Sequence, residues 1–154
     1  MSETVETRLQ SMGITLPQAA APAANYLPWC RSGTLLFTAG QLPLKDGKLA
    51  ATGLLGRDLD TAQGKEAARL CAINILAQAK AATQDLEKIA RLVKITVFVA
   101  SAPGFTEQHL VANGASDLFA EALGERGRHA RSAVGVASLP MNAPVEIEAI
   151  IEIA

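Results

Sequence analysis

The stretch from Val145 to Ile153, Val-Glu-Ile-Glu-Ala-Ile-Ile-Glu-Ile, constrains the fold more than any other part of the chain. Successive side chains on a strand point to opposite faces. Val145, Ile147, Ala149, Ile151 and Ile153 therefore share one face, and Glu146, Glu148, Ile150 and Glu152 share the other. A strand patterned in this way packs one face on a core and leaves the other polar. Upstream, Arg131 stands just before a small-residue strand, Ala133 to Ala137, and a turn built from Leu139, Pro140, Asn142 and Pro144 separates the two. If those strands pair, a guanidinium and a carboxylate face one cleft. Arginine is the preferred fork for a planar carboxylate, and glutamate can activate water.

The remaining segments supply partners for such a sheet. Val5, Leu9 and Met12 recur at helical spacing, which predicts a short helix over Thr4–Met12 that Gly13 ends. A Pro/Ala-rich arm follows. Arg31-Ser32-Gly33 reads as a turn before a strand over Thr34–Gln41, and Lys45-Asp46-Gly47-Lys48 reads as a second turn. Asp60 or Thr61 can cap a long helix reaching about Thr83, with Ala68, Cys71, Ala72, Ile75, Leu76 and Ala79 on one stripe. A strand over Arg91–Val99 and a helix over Thr106–Leu123, stopped by Gly124, complete the pattern. The order predicts an α+β domain: one antiparallel or mixed sheet packed by two main helices plus a short N-terminal helix. The whole chain, 1–154, reads as a single domain, with 1–25 as the N-terminal helix and extended arm.

Bulk properties narrow the function classes. The formal net charge is −1 and aromatic residues make up 4% of the chain, which argues against a nucleic-acid binder with its basic patch and stacking platforms. The one local basic cluster, Arg126, Arg128, His129 and Arg131, reads as a solvated turn. No apolar run suits a membrane span, and the first residues lack the pattern of a secretory signal, so a cytoplasmic protein is expected. Cys30 and Cys71 form no metal or redox pattern and are assigned to the core as reduced thiols. His109 and His129 are read as structural or solvated, with no metal site.

Three blocks are more specific: Phe37–Pro43 (FTAGQLP), Val93–Ser101 (VKITVFVAS) and His129–Ile150 (HARSAVGVASLP…VEIEAI). In collinear order they resemble the signature blocks of the Rid/YjgF family. These are reactive-intermediate (enamine/imine) deaminases, also known as L-PSP-type endoribonucleases or translation inhibitors. The resemblance runs from Tyr26 to the C-terminus, and the N-terminal helix marks a longer subgroup. It implies a chorismate-mutase-like fold and a homotrimer with clefts between adjacent subunits, without metal or cofactor. It further implies that Arg131 binds the substrate carboxylate and Glu146 helps hold the attacking water. Tyr26, Asn113 and Gly40 match the family's tyrosine, asparagine and cleft-lining glycine. Two positions depart from the family pattern: Ala39 stands where a serine is often found, and Ala133 where a cysteine is. Their backbone groups remain, but the hydroxyl and thiol do not.

The implied chemistry is hydrolysis of 2-imino or enamine acids to 2-keto acids and ammonia. Read from residues alone, Arg131 also fits an interface ion pair, Tyr26 an interface contact, and Asn113 a helix bend beside Gly114. Glu148 shares the face of Glu146 and is an alternative titrating partner. A non-catalytic binder of small carboxylates stays open alongside the enzyme, as does an endoribonuclease.

Overall fold

The computed structural model describes residues 3–22 and 24–154; Met1, Ser2 and Ala23, part of the segment expected to form the N-terminal helix and arm, lie outside the described residues. Helix α1 (Val5–Ser11) begins where Thr4 and Thr7 cap each other's backbone, and it turns off at Gly13, whose φ of +73° suits glycine. Val5 and Leu9 are buried, and the carboxylate of Glu87 accepts from the Val5 amide at 2.7 Å. The helix is thereby fastened to the domain.

Helix α2 (Thr61–Thr83) has the predicted ends. The Asp60 carboxylate accepts from the Gln63 amide at 2.8 Å, and the Gln63 side chain accepts from the Asp60 amide at 2.9 Å. Its predicted apolar stripe is fully buried. Helix α3 (Gln108–Leu123) starts two residues later than Thr106 and stops at Gly124. The two helices approach closely because their contact is small: a Cβ on Gly114 would collide with the backbone carbonyl of Lys65.

Five strands form one sheet in the order β1 (Trp29–Ser32), β2 (Leu35–Thr38), β7 (Val145–Ile153), β5 (Ile89–Ala100) and β6 (Ala130–Val136). The β5–β6 pair is parallel and the other pairs are antiparallel, so the sheet is mixed. A small hairpin, β3 (Leu44–Lys45) with β4 (Lys48–Leu49), surrounds the predicted Asp46-Gly47 turn. Arg31 and Ser32 are not a turn: they are strand residues paired with Leu36 and Leu35, and only Gly33 and Thr34 connect β1 to β2. Gly33 takes the left-handed conformation that such a two-residue hairpin loop requires.

Strand β7 occupies the middle of the sheet with the alternation read from its sequence. Val145, Ile147, Ala149, Ile151 and Ile153 are all buried against the helices. The opposite face is open. Cys30, Phe37, Ile150, Phe98 and Val134 lie on it among Glu146, Glu148 and Lys94. Cys30 is therefore exposed rather than a core thiol, because it pairs with Phe37 on this uncovered face of an edge hairpin. Cys71 is buried as expected, and burial, with the Glu146 charge as a lesser cause, holds its thiol well above the usual range. No described helix is long and apolar enough to cross a membrane.

Candidate active site

Arg131 lies inside β6, one residue in from its start, and pairs in register with Ile95 of β5. Ile95 in turn pairs with Ala149 of β7, and both are core residues. Paired residues project to one side, so Arg131 points toward the helices. There α3 meets it with a set of acceptors on successive turns. Nη1 donates to Asn113 Oδ1 at 2.9 Å and to Ser116 Oγ at 3.0 Å, and Nη2 donates to the His109 carbonyl at 3.0 Å. His109, Asn113 and Ser116 follow each other at four and three residues, the spacing of one helix face. All three acceptors are neutral, and no carboxylate pairs with Arg131 among the described residues. A guanidinium has five N–H donors. Nε–H and one Nη2–H have no acceptor among the described residues, and Arg131 lines an open groove of about 470 Å³ together with Ser116, Asp117 and His129.

Glu146 is the second element of β7 and pairs with Phe98, so it projects to the open face. Its carboxylate packs on Gly40, where an added Cβ would lie 2.5 Å from Oε2. A larger residue there would displace the Glu146 side chain. Burial and the neighbouring Glu148 charge both raise the Glu146 carboxyl above its usual value. Gly40 also lines a shallow pocket of about 130 Å³ with Tyr26, Pro28, Ala39, Gln41 and Met141. The Gly40 segment is anchored next to β7, because Gln41 and Ile147 exchange both backbone hydrogen bonds, at 2.7 and 3.0 Å. Tyr26 is half exposed, and Met141 is 68% exposed with a left-handed φ of 60°.

The expected site residues thus separate into two groups. Arg131 and Asn113 stand together on the helix side, with Ala133 two residues along β6 on the same face. Tyr26, Ala39, Gly40 and Glu146 stand on the other side. The expectation that Arg131 and Glu146 share a cleft because their strands pair does not hold within one chain. Strand β5 lies between β6 and β7, and the two side chains point to opposite faces. Glu148 faces the same way as Glu146 but is exposed, pairing with Thr96.

Asn113 neither bends nor caps α3; it holds the guanidinium. Ser116 was not anticipated, and His129, read as structural or solvated, is structural. His129 Nδ1 lies 2.6 Å from the Gly127 carbonyl and Nε2 lies 2.9 Å from Ser116 Oγ. The signal was present in the three-residue spacing of Asn113 and Ser116, but only the packing of α3 on β6 gives it meaning. The basic cluster is mostly engaged: Arg126 binds Glu87 and the Ile89 carbonyl, and Arg128 lies near Glu125. Among the described residues, no three His, Cys, Asp or Glu side chains converge as a metal site would need.

Comparison with known proteins agrees with this architecture. The profile of the family described as "YjgF/chorismate mutase-like, putative endoribonuclease" matches residues 6–153. Protein TCP17 of Trypanosoma cruzi is 51% identical over 153 residues, spanning 99% of this chain and 96% of that protein. The crystal structure of Atu1372 from Agrobacterium tumefaciens, a protein of unknown function, superposes with a TM-score of 0.93 at 60% identity, covering 97% of this chain and 92% of that one. Escherichia coli TdcF, solved with bound serine, superposes with a TM-score of 0.66 at 25% identity, covering 99% of this chain and all 100% of that one. The fold, the collinear blocks and these matches lead to one conclusion: the chain belongs to the YjgF/chorismate mutase-like family.

Proposed function

We propose that this protein hydrolyses reactive 2-imino and enamine acids to 2-keto acids and ammonia, with Arg131 binding the substrate carboxylate. The observation that carries the reading is the state of Arg131: a half-buried guanidinium fixed by three neutral acceptors, with no carboxylate paired to it among the described residues. Such a cation is a prepared receptor for a carboxylate, and each charge-assisted bond to it contributes about 1.5–3 kcal/mol. The serine bound to TdcF is also a carboxylate-bearing small molecule, which supports the same ligand class.

The chemistry needs little more than placement. A protonated imine is already electrophilic, so fixing the carboxylate and a water near the imine carbon removes most of the entropic barrier. An enamine first takes a proton at carbon to become the imine. Water then adds to the imine carbon while Glu146 accepts its proton, a role suited to a carboxyl that burial and Glu148 raise above its usual value. The nitrogen of the resulting carbinolamine takes that proton from Glu146; as the C–N bond breaks, the Glu146 carboxylate accepts the hydroxyl proton, C=O forms and ammonia leaves. The Tyr26 hydroxyl can bond the imine nitrogen or the departing ammonia. The Ala133 carbonyl and the backbone at Ala39 and Gly40 supply the remaining polar contacts, because neither alanine has a polar side chain. No cofactor enters these steps.

Since Arg131 and Glu146 diverge within one chain, the complete site is assembled between two copies. One copy brings Arg131 and Asn113, and its neighbour brings Glu146, Gly40 and Tyr26, as in a homotrimer with inter-subunit clefts. The open sheet face fits this role: Phe37 is 39% and Val134 43% exposed, and Tyr26, Leu27 and Met141 add further uncovered apolar surface. The same divergence favours one second reading, in which the chain binds small carboxylates at Arg131 without turning them over. An assay that generates 2-aminoacrylate from serine and follows ammonia release decides between the two. Wild type is expected to accelerate release and Arg131→Ala to abolish the acceleration. If wild type binds 2-ketobutyrate but adds nothing to the buffer rate, the binder stands and the enzyme falls.

A further inference from the structure

The acceptors around Arg131 do not end at Ser116. The Gly127 carbonyl can only accept, so His129 Nδ1, 2.6 Å away, is the donor, and in a neutral imidazole it holds the ring's one N–H. Nε2 is then an acceptor, and the Ser116 hydroxyl 2.9 Å from it donates. With its proton turned to His129, Ser116 Oγ presents a lone pair to Arg131 Nη1 at 3.0 Å. Every donor points one way, from guanidinium to hydroxyl to imidazole to a backbone carbonyl. The imidazole plane is held as well, because buried Phe119 meets it edge-on with ring centroids 6.0 Å apart and an interplanar angle of 77°. Aligned chains of this kind strengthen each member and fix orientation.

We infer that Ser116 and His129 are positioning residues: they lock the Arg131 guanidinium so that its free Nε–H and Nη2–H meet the substrate carboxylate. This rests on the reading of Arg131 as the carboxylate clamp. Both act through the guanidinium that they hold. Ser116 is also a poor nucleophile here, since the Arg131 cation draws on the oxygen that would attack. Asn113 and the His109 carbonyl secure one proton each on Nη1 and Nη2; Ser116 secures the second Nη1 proton and completes the hold on the plane of the fork.

Steady-state kinetics and 2-ketobutyrate titration of Ser116→Ala, Ser116→Thr, His129→Asn and His129→Gln test the inference, with thermal melts to establish folding. Ser116→Ala and His129→Asn are expected to raise both KM and the 2-ketobutyrate Kd about 5- to 20-fold while kcat stays within about 2-fold, the pattern of lost uniform binding. Ser116→Thr keeps the hydroxyl and should return both constants toward wild type. His129→Gln places an amide where Nε2 stood and should retain more affinity than His129→Asn, whose amide replaces Nδ1. The chain has only 2 histidines, so ring ¹⁵N spectra can identify the Nδ1–H tautomer of His129 and its change in Ser116→Ala. Folded Ser116→Ala and His129→Asn that bind as wild type, when Arg131→Ala does not, overturn the positioning role and leave the clamp intact. A loss confined to kcat, with Ser116 labelled by a fluorophosphonate, overturns it in favour of a nucleophile. Wild type that binds no 2-ketobutyrate, unchanged by Arg131→Ala, removes the clamp itself, and the inference falls with it.

Discussion

Glu146 sits where neither burial nor its neighbour Glu148 favours a charge. Its carboxyl is raised from the ordinary 4.5 by burial first and by Glu148 second. The folded chain therefore holds this proton more tightly than the unfolded chain does. The stability linked to it is fully present below the unfolded value and is lost as pH rises through the higher folded one. At neutral pH the ionised group thus opposes folding, which glutamine would relieve. Glu146→Gln is expected to raise the thermal midpoint at pH 7 by on the order of 1–2 °C, a small gain because the site is only half-buried. It should also flatten the acid-side pH dependence of stability and eliminate turnover. Melting curves of both proteins from pH 4 to 8, set beside their rates, check this. A lower midpoint for the variant at pH 7 would mean that a favourable contact holds the carboxylate. For wild type, the rate should climb with pH as Glu146 ionises, and that limb should vanish in the variant.

At the scale of elements, the crossing of α2 and α3 couples stability to the Arg131 site. Gly114 follows Asn113 and precedes Ser116 by two residues, and its missing Cβ lets the Lys65 backbone approach. Gly114→Ala must push α3 away from α2, and backbone against Cβ has no flexible side chain to absorb the overlap. The expected cost is about 2–3 kcal/mol in urea titration, against less than ~0.5 kcal/mol for alanine at exposed Glu121. Because α3 also carries the acceptors of Arg131, KM should rise in the same variant. A destabilised protein with unchanged KM would show that α3 moves without disturbing the guanidinium. Much of this layout was legible in the sequence because its signals are local. Asp60 with Gln63 marks the start of α2, Gly124 the stop of α3, and alternation the register of β7. Strand β1 escaped because Arg31-Ser32-Gly33 has turn-like composition, while its strand character comes from pairing with β2. The exposure of Cys30 escaped for the same reason. Ser116 and His129 are separated by 13 residues, and nothing short of the β5–α3–β6 crossover brings them together.

In the whole molecule Arg131 and Glu146 project from opposite faces of one sheet, and on the proposed function this shapes what a single chain can do. Alternation along β7 and the small residues of β6 singled out Arg131 and Glu146 as candidates individually. Sequence could not show that β5 separates their strands, because strand order is a non-local property. If catalysis draws Arg131 from one copy and Glu146 from the next, two inactive variants must complement each other. Arg131→Ala retains an intact Glu146 half, and Glu146→Gln retains an intact Arg131 half. When the two are refolded together in equal amounts, random assortment in a ring places both native residues in about a quarter of the clefts. The mixture should therefore recover about a quarter of wild-type activity, although each parent alone is inactive. Sites contained within single chains could not respond in this way, since every chain in the mixture carries one lesion. Val134→Asp supplies the complementary test, because a buried, unpaired carboxylate on the open face opposes association. Sedimentation should show smaller species for this variant, and ammonia release should fall with the assembled fraction. Complementation that fails while the mixed chains demonstrably co-assemble would place the whole reaction on one chain. Such a result would require Arg131 or Glu146 to leave the face on which the sheet now holds it.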